Sequence, residues 1–153
     1  MSFEVDIRNA FDVGYIRVIG PYPDVIGPGF ERLIAWAQQH QISGEYYALY
    51  WDNPDVTPPD ELKTDVAVTI QPPELVQGDI CVQTVPVGLY ASKFVRIENH
   101  DFEGAWRQFF AELALSEFQF RPETACMERY LNDGREDDVW DIEMIIPVQP
   151  IQA

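Results

Sequence analysis

The chain has 153 residues, 46% of them hydrophobic, and 26 acidic side chains against 10 basic ones give a formal charge of −16. That length suits one core able to bury about two thirds of the unfolded surface. The charge excludes a direct grip on DNA or RNA, whose phosphates demand clustered Lys and Arg, and no apolar run approaches the roughly 20 residues of a membrane span. The opening Met-Ser-Phe-Glu-Val-Asp-Ile-Arg lacks the basic and apolar regions of a signal peptide, so a cytoplasmic protein is expected. Cys81 and Cys126 have neither a CxxC spacing nor a neighbouring His, so they are expected as packed free thiols, with no metal and no cofactor.

In chain order, Phe3, Val5 and Ile7 alternate with polar residues and start a first strand, and Val13 to Ile19 forms a second, closed by Gly20-Pro21. The period then changes: Phe30, Leu33, Ile34 and Ala37 have helical spacing, with Pro28 suited to a first turn and the helix exhausted near His40. Glu45 to Trp51 reads as a strand, Asn53 to Pro59 as a proline-rich turn, and Val66 to Ile70 as a strand that stops before Pro72. Strands follow at Ile80 to Val85 and Leu89 to Ile97. Asp101 caps a helix whose apolar face is Phe102, Trp106, Phe109, Phe110 and Leu113. Phe118 to Thr124 is a loop, Cys126 to Leu131 a strand, Asn132-Asp133-Gly134 a turn, and Val139 to Val148 the last strand.

An offset of 76 carries Phe30, Leu33, Ile34 and Ala37 to Trp106, Phe109, Phe110 and Leu113, and Asp65, Val66, Val68 and Ile70 to Asp141, Ile142, Met144 and Ile146. Two elements matched at one offset predict a duplicated strand–helix–strand–strand unit, the first repeat covering about residues 3 to 72 and the second about 79 to 149 of a single domain. The expected class is α+β: a curved antiparallel sheet with two helices on one face and a ligand groove on the other.

The last strand singles out one residue. Ile142, Met144, Ile146 and Val148 share one side, whereas Asp141, Glu143 and Ile145 share the other. A carboxylate at mid-strand needs a partner, a ligand or water, and Ala67 is its counterpart in the first repeat. On the preceding strand, Glu128 and Tyr130 are expected to face the groove with Glu143, and Met127 and Leu131 to face the helix. Arg129 is then awkward. If Glu128 approached Glu143, repulsion and burial would raise one pKa towards neutrality and create a general acid or base. With Tyr50, Trp51 and Trp140 as further aromatic walls, the candidate site suits a flat cationic or electrophilic organic molecule. The acidic turns at Asp52 to Asp55 and Asp133 to Asp138 are either solvated tips or a docking surface for a basic partner.

Several segments carry a resemblance: Gly20-Pro21-Tyr22, Gly29-Phe30-Glu31, Tyr50-Trp51-Asp52-Asn53-Pro54-Asp55 with Thr57-Pro58, Asp65, Val68-Thr69, Tyr130-Leu131-Asn132, Trp140-Asp141-Ile142-Glu143-Met144 and Val148-Gln149-Pro150. Through them the chain resembles the GyrI-like family over essentially its whole length. The resemblance implies a stand-alone relative of the effector-binding domains of AraC- and MerR-type multidrug regulators. In those domains a buried glutamate among aromatics meets lipophilic cations, and Glu143 stands at that position. It further implies DNA gyrase as a protein partner and protection against gyrase poisons and DNA-damaging toxins. Other members resemble hydrolases that open the cyclopropane of alkylating natural products; here Glu143 would be the general base and Tyr130 or Tyr50 would hold the leaving oxygen. A third possibility the resemblance leaves open is drug sequestration without turnover.

Overall fold

The computed structural model describes residues 2–71, 78 and 80–151. The chain divides into two compact units, one formed by Ala10–Pro86 and the other by Met1–Asn9 together with Val87–Ala153.

In the central unit, β2 (Phe11–Ile19), α1 (Tyr22–Gln39), β3 (Tyr46–Tyr50), β4 (Lys63–Thr69) and β5 (Cys81–Val85) follow one another. The strands pair antiparallel in the order β3-β4-β2-β5. Leu33 on α1 is buried against Ile16, Val66 and Val68, so one face of this sheet is covered by the helix. The helix starts earlier than the sequence suggests. Pro23 occupies its first turn, and Pro28 lies inside it. Gly27 precedes that proline, and with no Cβ to meet the ring it tolerates the helical backbone that Pro28 disfavours in any larger neighbour. Gly29 lets the helix approach closely, since a Cβ there would sit 2.9 Å from Val18 Cγ1 and 3.3 Å from Val66 Cγ2.

The terminal unit contains β1 (Glu4–Arg8), β6 (Gly88–Glu98), α2 (Phe102–Ala114), β7 (Phe118–Phe120), β8 (Cys126–Tyr130) and β9 (Val139–Pro150). Its strands pair antiparallel in the order β1-β6-β9-β8. Residues expected as loop, Phe118 to Phe120, instead form β7 against Val148 to Pro150. Asp101 caps α2 by accepting from Gly104 N at 3.1 Å, and Phe109 and Leu113 pack on Ile142, Met144 and Ile146.

Each unit is therefore α+β and runs strand–helix–strand–strand, as β2-α1-β3-β4 and β6-α2-β8-β9. Phe109 and Leu113 take the buried places of Leu33 and Ala37, and Ile142 and Met144 those of Val66 and Val68. The spatial division differs from the sequence repeat at one point. Phe3 to Ile7 belong with the second half, because β1 hydrogen-bonds to the free edge of β6, just as β5 does to that of β2. The thiols also differ: Cys126 is partly buried, and desolvation pushes its pKa up to about 12, whereas Cys81 lies exposed on β5.

Candidate functional site

Directly opposed residues of antiparallel strands share a face, so the register of β9 decides which side chains meet. Ile142, Met144 and Ile146 face α2. Glu143 faces away from that helix, between Phe94 of β6 and Arg129 of β8, and is only 3% exposed. Arg129 was awkward only while its strand was turned the other way. Its Nε donates to Glu143 Oε1 at 2.9 Å.

A second guanidinium arrives from the far end of the sequence. Arg8 Nη2 donates to Oε2 at 2.6 Å and its Nη1 to Oε1 at 3.3 Å. Burial alone would push the Glu143 carboxyl upward, but the hydrogen bonds and charges of Arg8 and Arg129 outweigh it and hold the group below the ordinary glutamate range. Glu143 is thus an ionised, doubly clamped carboxylate. Its counterpart Ala67 is buried between Tyr15 and Tyr47.

The same register moves Glu128 to the other face. It lies opposite Met144, buried beneath α2, where Trp106 Nε1 donates to Oε2 at 2.6 Å and the Tyr130 hydroxyl to Oε1 at 2.7 Å. Glu128 and Tyr130 therefore do not face Glu143, and the expected carboxylate pair with one raised pKa is not assembled. Trp140 shares the α2 side, its ring 5.6 Å from that of Tyr130 and 6.3 Å from that of Phe102. Tyr50 also turns to the helix side of its unit, edge-on to Tyr22 at 5.2 Å. Of the six candidate residues, Glu143 and Trp51 lie on faces away from the helices, each in its own unit.

Trp51 exposes a network that the sequence analysis left unassigned. Asp65, wholly buried, accepts from Arg17 Nε at 2.8 Å and Arg17 Nη2 at 3.0 Å, from Trp51 Nε1 at 2.7 Å and from Gln83 Nε2 at 2.8 Å. The Arg17 guanidinium lies 5.9 Å from the centre of the Trp51 ring. The signals for Asp65 were its match to Asp141 and its place among the residues that carry the resemblance. Arg8 had a signal too, since it alternates with Ile7 and falls on the polar side of its strand. Among the described residues, no group of three His, Cys, Asp or Glu is placed to hold a metal ion. No described helix is long and apolar enough to cross a membrane.

The GyrI-like small molecule binding domain matches residues 1–149. The chain belongs to the GyrI-like family. Within it, a DNA gyrase inhibitor of Yersinia enterocolitica is 38% identical, over 99% of this chain and 100% of its own. A DNA gyrase inhibitor of Edwardsiella piscicida is 40% identical, over 97% and 99%. Among solved structures, the C-terminal domain of EcmrR shares the GyrI-like fold at a TM-score of 0.73 with 13% identity, covering 97% of this chain and 98% of that one. A Listeria innocua hydrolase reaches 0.71 with 9% identity over 97% and 92%. A protein solved with bound tetraphenylphosphonium reaches 0.65 with 10% identity over 97% and 94%. The α+β plan is thus shared along nearly the whole GyrI-like chain.

Proposed function

We propose that this GyrI-like protein is a small-molecule-binding modulator of DNA gyrase that protects cells against gyrase poisons and DNA-damaging toxins. The observation that supports this most directly is identity of 38% and 40% to proteins named DNA gyrase inhibitor, over nearly the full length of both partners. A surplus of acids suits encounter with a basic patch on the enzyme, which would make association fall with added salt. Purified gyrase should be retained on the immobilised protein, and supercoiling should fall as the protein is added. Unchanged supercoiling at several-fold molar excess, with no retention, would sink the proposal.

The geometry favours binding over turnover. A general base needs a pKa near the working pH, whereas the hydrogen bonds and charges of Arg8 and Arg129 hold the Glu143 carboxyl low and make it a weak base. Of the two expected helpers, Tyr130 bonds Glu128 on the opposite face and Tyr50 packs edge-on to Tyr22 on the helix side of its own unit. Cyclopropane opening by a Glu143–Tyr130 pair therefore has no assembled catalytic geometry here. In a mass-spectrometric assay, an alkylating cyclopropane compound should be recovered intact.

A further inference from the structure

The two units share an arginine–aspartate pair at matched places. Arg17 lies opposite Asp65, and Arg96 opposite Asp141. Both pairs are bidentate: Arg96 Nε donates to Oδ1 at 2.9 Å and Nη2 to Oδ2 at 3.3 Å. Their surroundings correspond as well, because Phe94 takes the place of Tyr15 beside Ala67's counterpart, and Leu131, bonded through its N–H to Asp141 O, takes that of Leu49 opposite Asp65. What differs is the cover. Over Asp65, Trp51 supplies a flat ring near the guanidinium and an N–H to the carboxylate, and the pair's carboxylate is sealed from water.

Over Asp141 no tryptophan follows. The chain leaves Leu131 into the Asn132-Asp133-Gly134 turn, and an open hollow of about 390 Å³ is lined by Phe94, Leu131, Arg96 and Asp141 together with Val95 and Ile142. Phe94 is 64% exposed and Leu131 45% exposed, beside the Arg96 and Asp141 side chains at 64% and 36%, so apolar and charged groups share a hollow open to water.

We infer that this hollow binds a flat, uncharged aromatic compound bearing a ring N–H, which lies near Arg96 between Phe94 and Leu131 and donates to Asp141 as Trp51 does to Asp65. The chain supplies its own template for the ligand: a planar ring for the guanidinium and one donor for the carboxylate. An N–H donor suits Asp141 because a bidentate arginine leaves a carboxylate further acceptor sites. The inference stands on the comparison of the two units and does not depend on gyrase being the partner.

The test is a ¹H–¹⁵N NMR titration of the whole protein with indole, and with 1-methylindole as the probe lacking the donor. Indole should move the amide signals of Arg96, Leu131 and Asp141, and 1-methylindole should bind at least about tenfold more weakly, the usual loss for a hydrogen bond to a charged acceptor. Asp141→Ala should reduce indole binding to the level of its methylated analogue, and Phe94→Ala should weaken both probes. Thermal unfolding of each variant shows whether it is folded, and the comparison of the two probes on the unaltered chain needs no variant. Equal binding of the two probes, absence of shifts at these amides up to the solubility of indole, or undiminished binding by folded Asp141→Ala would each overturn it.

Discussion

Arg8 and Glu143 stand 135 positions apart in the chain and 2.6 Å apart in space, and with Arg129 they form an ion cluster on the face of β9 turned away from α2. Two partly exposed guanidiniums around one buried carboxylate depend on its charge. Glu143→Ala should therefore cost about 1–3 kcal/mol, because it removes the buried carboxylate that accepts charge-assisted hydrogen bonds from both, and urea unfolding at neutral pH measures this. The acid sensitivity has a definite sign. A carboxyl whose folded pKa is depressed contributes stability that is complete above its unfolded value, about 4.3, and is lost as pH falls through the folded value. Urea midpoints should thus drop below about pH 4.3, and that drop should shrink in Glu143→Gln, whose side chain does not titrate.

At the scale of elements, the two helices are anchored differently. The α2 helix has a side-chain cap, so Asp101→Ala should cost about 1 kcal/mol, or about 2–4 °C in Tm by calorimetry. The α1 helix has none and is held by its close approach to β2 and β4. Gly29→Ala should destabilise by about 1–3 kcal/mol through overpacking against Val18 and Val66, and a chemical-denaturation midpoint no lower than that of the parent would refute this account. The acidic turns are stitched rather than loose. Asp52 accepts from the backbone N and Nζ of Lys63 at 2.7 and 2.9 Å, while Arg135 donates to Asp133 at 2.7 Å and its hydrogen bonds lower the Asp133 pKa to about 2. Asn132 closes its hairpin by bonding Val139 O and Asp141 N. These acids therefore shape their hairpins, whatever else they meet outside.

For the molecule as a whole, a charge of −16 on 153 residues means that folding crowds like charges together. Salt screens such repulsion over about 10 Å at 0.1 M. The melting temperature should rise between about 10 mM and 200 mM sodium chloride, a span in which the Debye length shortens markedly; a fall would mean that the ion pairs at Glu143, Asp65 and Asp141 outweigh the surplus of acids. The same screening should weaken association with a basic partner, so stability and binding are expected to move in opposite directions with salt.

Element type outside β7, the helix faces apart from the exposed Phe110, and the duplication were legible because they are local or strictly periodic: Leu33, Phe109, Val66 and Ile142 declare themselves through spacing and one repeated offset. The mid-strand carboxylate was legible for the same reason, since alternation alone isolates Glu143. Which way β8 turns was not. Cys126, Glu128 and Tyr130 are as mixed in polarity as Met127, Arg129 and Leu131, so period two offers no choice, and only pairing with β9 places Glu128 under α2 and Arg129 beside Glu143. Nor did the chain order show that β1 completes the second half, bringing Arg8 to its partner, because a strand joins whichever sheet edge is open to it. Patterns along a chain specify the faces of elements; contacts between distant strands belong to register, and register exists only once the sheet has formed.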